Sequence, residues 1–595
     1  MTTTVRPRRA PARVPETKPE RPVKQAERAP DATRFEGRRV TLPGALAPAG
    51  WSDAAAYAID AWQRGVLFLD ALRERADNML DHEAAGLPPP LRFKHETVLD
   101  ARSFDPPANY ALLHIIETED VCAADCVDPD KPPVIVIDPR AGHGPGIGGF
   151  KRDSEVGIAL HEGHEVYFVI FFPEPCPGQT LADVLAALRH FIEAVRERHG
   201  GKAPVLYGNC QAGWAAVLLA ADCQGLTGPT VLNGSPLSYW AGESGVNPMR
   251  LFGGLLGGTW LAHLLADLGA GEFDGAWLVQ NFELLKPEAA IWDKYANLFM
   301  NVDGERERFL EFERWWNGFY RLSREEIVNI VQNLFVGNKL EEGKVRICPG
   351  CYVDLRRIRN PLVIFASWGD NITPPQQALG WLPAVYESTD DLKAAGQRIV
   401  YLTNPHVGHL GIFVSAKVAR FEHRAILESL DEIEALPPGL YEMRILNPTG
   451  DPDCRKPQYA VAFEARKIED LRFAYPEQAF ERARDLSERN EALYRAFVSP
   501  WVQAWSNPWT AQWLRRAHPM RASRYVFSER ISPGLIWIKA LAGLIGQHRQ
   551  PAASGNPWLP LEQAASRSAG DDIRNLRTLR DELYEVAFQT TYGRE

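Results

Sequence analysis

The stretch Leu206-Tyr207-Gly208-Asn209-Cys210-Gln211-Ala212-Gly213 reads as a short buried strand that turns directly into a helix, with a cysteine at the turn. Gly208 and Ala212 stand two residues to either side of it. A nucleophile elbow has this composition, because its attacking residue sits on a strained strand-to-helix turn where a larger neighbour would collide with the backbone. Cysteine at that point suits a thioester: acyl-cysteine and acyl-thiol are close in energy, so transfer between them is reversible without a large barrier. The plainer alternative is a buried structural cysteine after a strand, acting as a small hydrophobe.

Two downstream segments supply an acid and a base. Asn360-Pro361-Leu362-Val363-Ile364-Phe365-Ala366-Ser367-Trp368-Gly369-Asp370 is an apolar run ending in a carboxylate, and Asn371-Ile372-Thr373-Pro374-Pro375 is a turn that no strand continues through. A further strand, Gln397 to Leu402, leads to Pro405-His406-Val407-Gly408-His409-Leu410-Gly411. Catalytic groups of open parallel sheets collect at the carboxyl ends of the strands, so Cys210, Asp370 and His409 are expected to converge. The order nucleophile, acid, histidine is that of the α/β-hydrolase fold. His409 is preferred to His406 as the base, because Gly408 lets the loop bend the imidazole inward and the apolar residues after it anchor a helix. His406 follows a proline near a strand end, a turn position.

These motifs resemble the polyhydroxyalkanoate synthase branch of the α/β hydrolases. Members of that branch carry a Gly-x-Cys-x-Gly-Gly elbow, an Asp-x-Ile-x-Pro segment and a Gly-His pair; here they read Gly208-Asn209-Cys210-Gln211-Ala212-Gly213, Asp370-Asn371-Ile372-Thr373-Pro374 and Gly408-His409. Asn333 to Leu340, Val353-Asp354-Leu355 and the early Asp60-Ala61-Trp62-Gln63-Arg64-Gly65-Val66-Leu67-Phe68 are similar as well, across roughly residues 50–425. The resemblance implies an acyltransferase acting on hydroxyacyl-CoA thioesters, with Cys210 as nucleophile, His409 as base and Asp370 orienting the imidazole or activating the acceptor hydroxyl. Two rivals stay open: a cysteine hydrolase (thioesterase or polyester depolymerase), and a non-catalytic scaffold that binds proteins or polymer inclusions. Where those synthases have an aromatic Pro-Trp segment, this chain has Asp138-Pro139-Arg140-Ala141-Gly142-His143-Gly144-Pro145-Gly146-Ile147-Gly148-Gly149, so the substrate wall differs.

Gly144 to Gly149 also matches a dinucleotide Gly-x-Gly-x-x-Gly pattern, but several residues and two prolines separate it from the preceding strand, which defeats the tight turn that a pyrophosphate site needs. The loop fits better as half of an oxyanion hole. The Gln211 amide would supply one donor and an amide between Arg140 and Gly144, taken as Gly142, the other. His143 is either a polar wall residue or a surface group.

A formal charge of -10 argues against nucleic acid as a partner. No apolar stretch reaches the twenty or so residues that cross a bilayer, and the N-terminus lacks the apolar core of a secretion signal, so a cytoplasmic location is expected. Eight cysteines in 595 residues are no disulfide framework. Cys122 and Cys126 with Cys348 and Cys351 could form a four-thiolate zinc site, but free thiols are the expectation, with no metal or cofactor. The expected partners are an acyl-CoA or polyester substrate; self-association and contact with polymer inclusions stay open.

The expected organisation is a disordered basic arm (1–46), a helical segment (47–108), the first part of an α/β-hydrolase core (109–234), a helical lid insertion (235–354), the second part of the core (355–430) and a C-terminal hairpin with helices (431–595). The insertion carries Trp240, Trp260, Trp277, Trp292, Trp315, Trp316 and Phe319, which either line an acyl channel or fill a core of their own. Trp501, Trp505, Trp509 and Trp513 recur every four residues, with a break at Pro508, and are read as a seam against the rest of the fold.

Overall fold

The structure, a computed structural model, describes residues 48–117, 127–348, 351–449, 458–471, 473 and 475–593. The basic arm 1–46 and the Cys122/Cys126 half of the zinc alternative lie outside the described residues. The chain divides into Met1–Ser52 and Asp53–Glu595. Of the first unit the described part is the opening of helix α1 (Pro48–Ala84); the second holds the sheet and the site.

Ten strands form the main sheet among the described residues: β1 (Lys94–Asp100), β2 (Tyr110–Glu117), β3 (Val134–Ile137), β4 (Val166–Phe171), β5 (Val205–Asn209), β6 (Thr230–Asn233), β7 (Leu362–Ser367), β8 (Arg398–Asn404), β9 (Gly439–Thr449) and β10 (Gln458–Arg466). Their order is β1-β2-β4-β3-β5-β6-β7-β8-β9-β10. The run from β4 to β9 is parallel. β1, β2 and β10 join it antiparallel. This crossed, mostly parallel sheet is the α/β-hydrolase fold. Strands β3, β4, β6 and β7 are buried at every position, and their mostly apolar sequences follow from being covered on both faces. Successive residues of β5 feed opposite cores, Leu206 one and Val205 and Tyr207 the other.

Helices α2 (Glu155–His161), α3 (Leu181–Arg198) and α4 (Gln211–Asp222) follow the early strands. Thr180 and Asp183 close a capping box that starts α3. The insertion contributes α5 (Met249–Leu255), α6 (Trp260–Leu268), α7 (Ala276–Leu285), α8 (Val302–Trp316) and α9 (Arg324–Ile330). It also holds a short antiparallel ribbon, Glu272–Asp274 with Arg321–Ser323. After β8 come α10 (His409–Val414), α11 (Glu477–Leu493), α12 (Ser499–Trp505), α13 (Pro508–Ala517), α14 (Ile536–Gln547) and α15 (Trp558–Tyr592).

Three expectations change. The helical segment 47–108 ends in strand β1, which pairs with β2. The hairpin assigned to the C-terminal extension instead extends the sheet, β9 lying parallel to β8. The tryptophans of α12 and α13 form no seam: all four are exposed. The rest of the extension is bound into the fold, with Phe480 and Phe588 packed in one core with Trp240 and Leu251 of the insertion. No single helix among the described residues is long and apolar enough to cross a membrane.

Candidate active site

Cys210 occupies the single-residue turn between β5 and α4 at φ 50°, ψ -122°. A left-handed φ is costly for a side chain of this kind and persists only where the surroundings impose it. Here the Cys210 amide donates to Asn233 O of β6 (2.8 Å) and the Gly213 amide donates back to Cys210 O (3.0 Å). The small residues have unequal tasks. A Cβ on Gly208 would meet Gly213 Cα at 2.6 Å, and one on Gly213 would meet Ser235 Oγ at 1.9 Å. The side chain at Ala212 fits in the core. The tight contact thus falls one residue further along, which is why alanine is accepted at 212.

Asp370 follows the end of β7, fully buried. The turn after it explains the Asp-x-Ile-x-Pro pattern: the Ile372 and Thr373 amides donate to Asp370 Oδ1 at 2.8 and 2.9 Å, fixing the carboxylate. Its other oxygen accepts from His409 Nδ1 at 2.7 Å. His409 opens α10 behind Gly408, and its Nε2 lies 3.1 Å from Cys210 Sγ. Gly234, at φ 51°, leaves room for the ring, since a Cβ there would stand 3.4 Å from His409 Cε1. Ser367 Oγ donates to Asn404 O and Val407 O, tying the end of β7 to the histidine loop. His406, in the same loop, is exposed. Burial alone would lower the His409 pKa, but Asp370 and then Cys210 outweigh it and raise it to about 10. An imidazolium facing the sulfur is the state this arrangement favours.

A buried polar network underlies the elbow, and sequence reading missed it. Asn209 donates to Glu155 and, at 3.2 Å, to Asp138. Asn233 donates to Glu155 (3.1 Å) and to Asn209 Oδ1 (3.0 Å). Burial pushes Asp138 up to about 6 and Glu155 well above the usual carboxylate range. Three strand ends and α2 are thereby locked beneath Cys210. The glycine-rich loop is part of the same device: the amides of Gly146 and Gly148 donate to the Asp138 carboxylate, which accounts for the dinucleotide-like pattern without a nucleotide.

The same loop corrects two expectations. Gly142 packs against Gly275, and its carbonyl accepts from the Tyr320 amide at 2.9 Å. It is Arg140 and Ala141, not Gly142, that line the cavity onto which Cys210 and Gln211 open. The Arg140 amide donates to Gln211 Oε1 (3.2 Å), whereas the Ala141 amide has no acceptor among the described residues. The Arg140 side chain anchors the loop on Asn109, Arg321 O and Glu326. His143 is no surface group: it is buried, its ring centroid 4.2 Å from that of Trp315, and burial pushes its pKa down to about 4.

The cavity beside Cys210 measures about 170 Å³, and the insertion forms most of its wall, including Tyr239, Phe252, Leu261, Leu265 and Phe335. The insertion therefore covers the site, but none of its seven named aromatics lines this cavity; Trp316 borders a second one beside His409. Trp315, Trp316 and Phe319 pack in the core on the histidine side, and Trp240 packs with the C-terminal helices. Tyr239, which sequence gave no reason to single out, is held by its amide on Asn338 and its carbonyl on Gln377.

Among curated proteins, the chain is similar to "Uncharacterized protein in ackA 5'region" of Rhizobium meliloti, 47% identical over 554 residues, covering 91% of this chain and 75% of that protein. It is also similar to the "Poly(3-hydroxyalkanoate) polymerase subunit PhaC" of Synechocystis sp., 25% identical over 286 residues, 47% of this chain and 72% of that one. Solved structures with a similar fold include a monoglyceride lipase variant from Saccharomyces cerevisiae, at 14% identity and TM-score 0.36, covering 58% of this chain and 95% of the lipase. A Pyrobaculum calidifontis esterase matches at 12% identity and TM-score 0.31, covering 62% of this chain and 94% of the esterase. The family described as "Protein of unknown function (DUF3141)" matches residues 60–595, nearly the whole chain, and the protein belongs to that family.

Proposed function

We propose that the protein is a cysteine acyltransferase acting on short-chain hydroxyacyl-CoA thioesters. One observation carries the reading: Cys210 Sγ stands 3.1 Å from His409 Nε2, and Asp370 stands 2.7 Å behind the imidazole, at the edge of an apolar cavity. In this reading His409 holds the proton of Cys210, and the thiolate attacks the thioester carbonyl. The amides of Gln211 and Ala141 receive the oxyanion. The sulfur–carbonyl bond to coenzyme A breaks, and the departing thiolate takes the proton from His409. Acylation removes the charge of the sulfur, one of the two charges that raise His409, so the imidazole can then accept a proton from an acceptor hydroxyl as that oxygen attacks the acyl-cysteine; the Cys210 sulfur–carbonyl bond then breaks, releasing the ester and leaving the thiolate beside the protonated imidazole. Asp370 keeps Nδ1 protonated throughout.

The cavity limits the acyl group. A cavity of about 150 Å³ takes up a benzene ring, so about 170 Å³ suits a chain of about four to six carbons. The similarity to the Synechocystis polymerase subunit supports the same substrate class. The test is to incubate the protein with 3-hydroxybutyryl-CoA and follow free coenzyme A and product length together. Coenzyme A release with ester-linked oligomers supports transfer. Release with free 3-hydroxybutyrate as the sole product makes water the acceptor and the protein a thioesterase. Absence of release from wild-type protein overturns the reading.

A further inference from the structure

Helices α12 and α13 present an outer face that nothing among the described residues covers. Trp501 and Trp505, one turn apart on α12, are 72% and 80% exposed, and Trp509 and Trp513, one turn apart on α13, are 73% and 61% exposed. Phe497, one turn before Trp501, extends the same ridge. The inner face is firmly held. Buried Asp267 of α6 accepts hydrogen bonds from Tyr494 (2.9 Å), Ser499 (2.6 Å) and Gln503 (3.1 Å), and Ala511 packs inward from α13. Asn507 caps α13 across the break. The ridge is therefore a rigid, built surface rather than a frayed end.

Its charge is as uneven as its composition. Between Ala492 and Leu561 the sequence has eight Arg and Lys and a single acid, Glu529, in a chain of net charge -10. Seven of the eight pair with an acid, as Arg521 does with Asp274 and Arg524 with Glu283. Arg516, at the end of α13, is exposed and pairs with no acid among the described residues. Indoles concentrate at the headgroup level of bilayers, where the ring has an apolar body and a polar edge, and cations without acids beside them favour anionic headgroups.

The two helices also pack on a wall of the acyl cavity. Helix α6, on which α12 packs, lines that cavity with Leu261, Ala262 and Leu265. Leu256, at the bend between α5 and α6, lines the cavity and is 53% exposed, so the cavity reaches the surface there. Trp260 joins the two features: its indole donates to Leu256 O (3.0 Å), and its ring centroid is 6.0 Å from that of Tyr494, which leads into α12.

We propose that the tryptophan ridge of α12 and α13 seats this protein on the surface of an anionic phospholipid bilayer. Resting on the acyl chemistry proposed above, the same contact turns the Leu256 opening to the lipid and gives the cavity acyl groups held there.

The test is flotation of the full chain with vesicles of equal parts phosphatidylcholine and phosphatidylglycerol, against vesicles of phosphatidylcholine alone. Wild-type protein floats with the anionic vesicles, and its indole emission is quenched by brominated chains. The double variant Trp505→Ser/Trp509→Ser, and independently Trp501→Ser/Trp513→Ser, binds at least about tenfold more weakly. Both pairs are exposed, so thermal unfolding and turnover of a water-soluble thioester stay unchanged. Arg516→Glu weakens anionic binding alone. Failure of the wild type to float, or flotation of both double variants equal to that of the wild type, overturns the proposal. So does a wild-type dimer in sedimentation velocity that these variants dissociate, because a second copy then covers the ridge. Cys210→Ala should float like the wild type; flotation intact with no acyl chemistry in the wild type refutes the proposed function and leaves the docking surface standing.

Discussion

Replacing Asp370 by asparagine changes few atoms and should disable the site through the tautomer of one imidazole. The Ile372 and Thr373 amides both donate to Oδ1, so in Asp370→Asn they select the amide orientation that leaves a carbonyl oxygen there. The NH₂ group then faces His409 Nδ1, now 2.7 Å from a donor instead of an acceptor. A neutral imidazole in that position must accept at Nδ1 and carry its proton on Nε2, pointing at Cys210 Sγ, where it cannot act as a base. Reversing the amide would free the ring but set an NH₂ against two backbone donors. The expected loss is about 10³–10⁴ in the acylation rate, or about 4–5.5 kcal/mol of barrier, as for triads in which the wrong tautomer is enforced. The substitution is isosteric but removes the charge that raises His409, so the stability tied to that pair is lost with it and folding of the variant is checked alongside. The assay is single-turnover formation of acyl-enzyme from 3-hydroxybutyryl-CoA by wild type, Asp370→Asn and, as a control, exposed His406→Gln, which should stay within about tenfold. Acylation by Asp370→Asn at near wild-type rate, with only the second step slowed, would refute the reasoning and assign Asp370 to the acceptor hydroxyl.

Alkylation near neutral pH should modify Cys210 ahead of Cys176 and Cys223, because burial raises the Cys176 thiol and pushes Cys223 up to about 11; peptide mapping that finds either of those labelled first contradicts the imidazolium pairing. The His409 pKa is raised from 6.5 to about 10, so the stability contributed by its charged form is complete below pH about 6.5 and is lost as pH rises through about 10. Denaturant unfolding should therefore show the gap between wild type and His409→Gln closing as pH passes that value. Gly213→Ala should destabilise by about 1–3 kcal/mol, because its Cβ meets Ser235 Oγ at 1.9 Å, and Ser235→Gly in the same chain should restore most of the loss in thermal unfolding.

The site was legible wherever chemistry and backbone geometry demand particular residues in a local pattern. The elbow needs small residues around Cys210, the acid needs a turn whose amides close on its carboxylate, and His409 needs a flexible residue before it. Three short segments announced these needs although they lie up to 199 residues apart in the chain. What stayed hidden depends on distant partners. Nothing local marks Asn209, Glu155 and Asn233 as one network, since each is an ordinary polar residue until the strands align. Gly142 was chosen as an oxyanion donor by its position in a loop, but its contacts with Gly275 and Tyr320 turn it away from the cavity. The aromatics of the insertion show a composition but no direction, so channel and core both stayed open, and residues not singled out, such as Tyr239, line the cavity. The tryptophans of α12 and α13 failed for a related reason: a stripe on one helix face says that something apolar covers it, and the partner need not be the same chain.

The central claim is that Cys210 carries the acyl group, and trapping that group tests it most directly. Protein mixed with 3-hydroxybutyryl-CoA, quenched in acid within the first turnover and mapped by peptide mass spectrometry, should show the acyl mass on the peptide containing Cys210, removable by hydroxylamine and absent from His409→Gln under the same conditions. An acyl mass on any other residue, or coenzyme A released at wild-type rate by Cys210→Ala, would contradict the account.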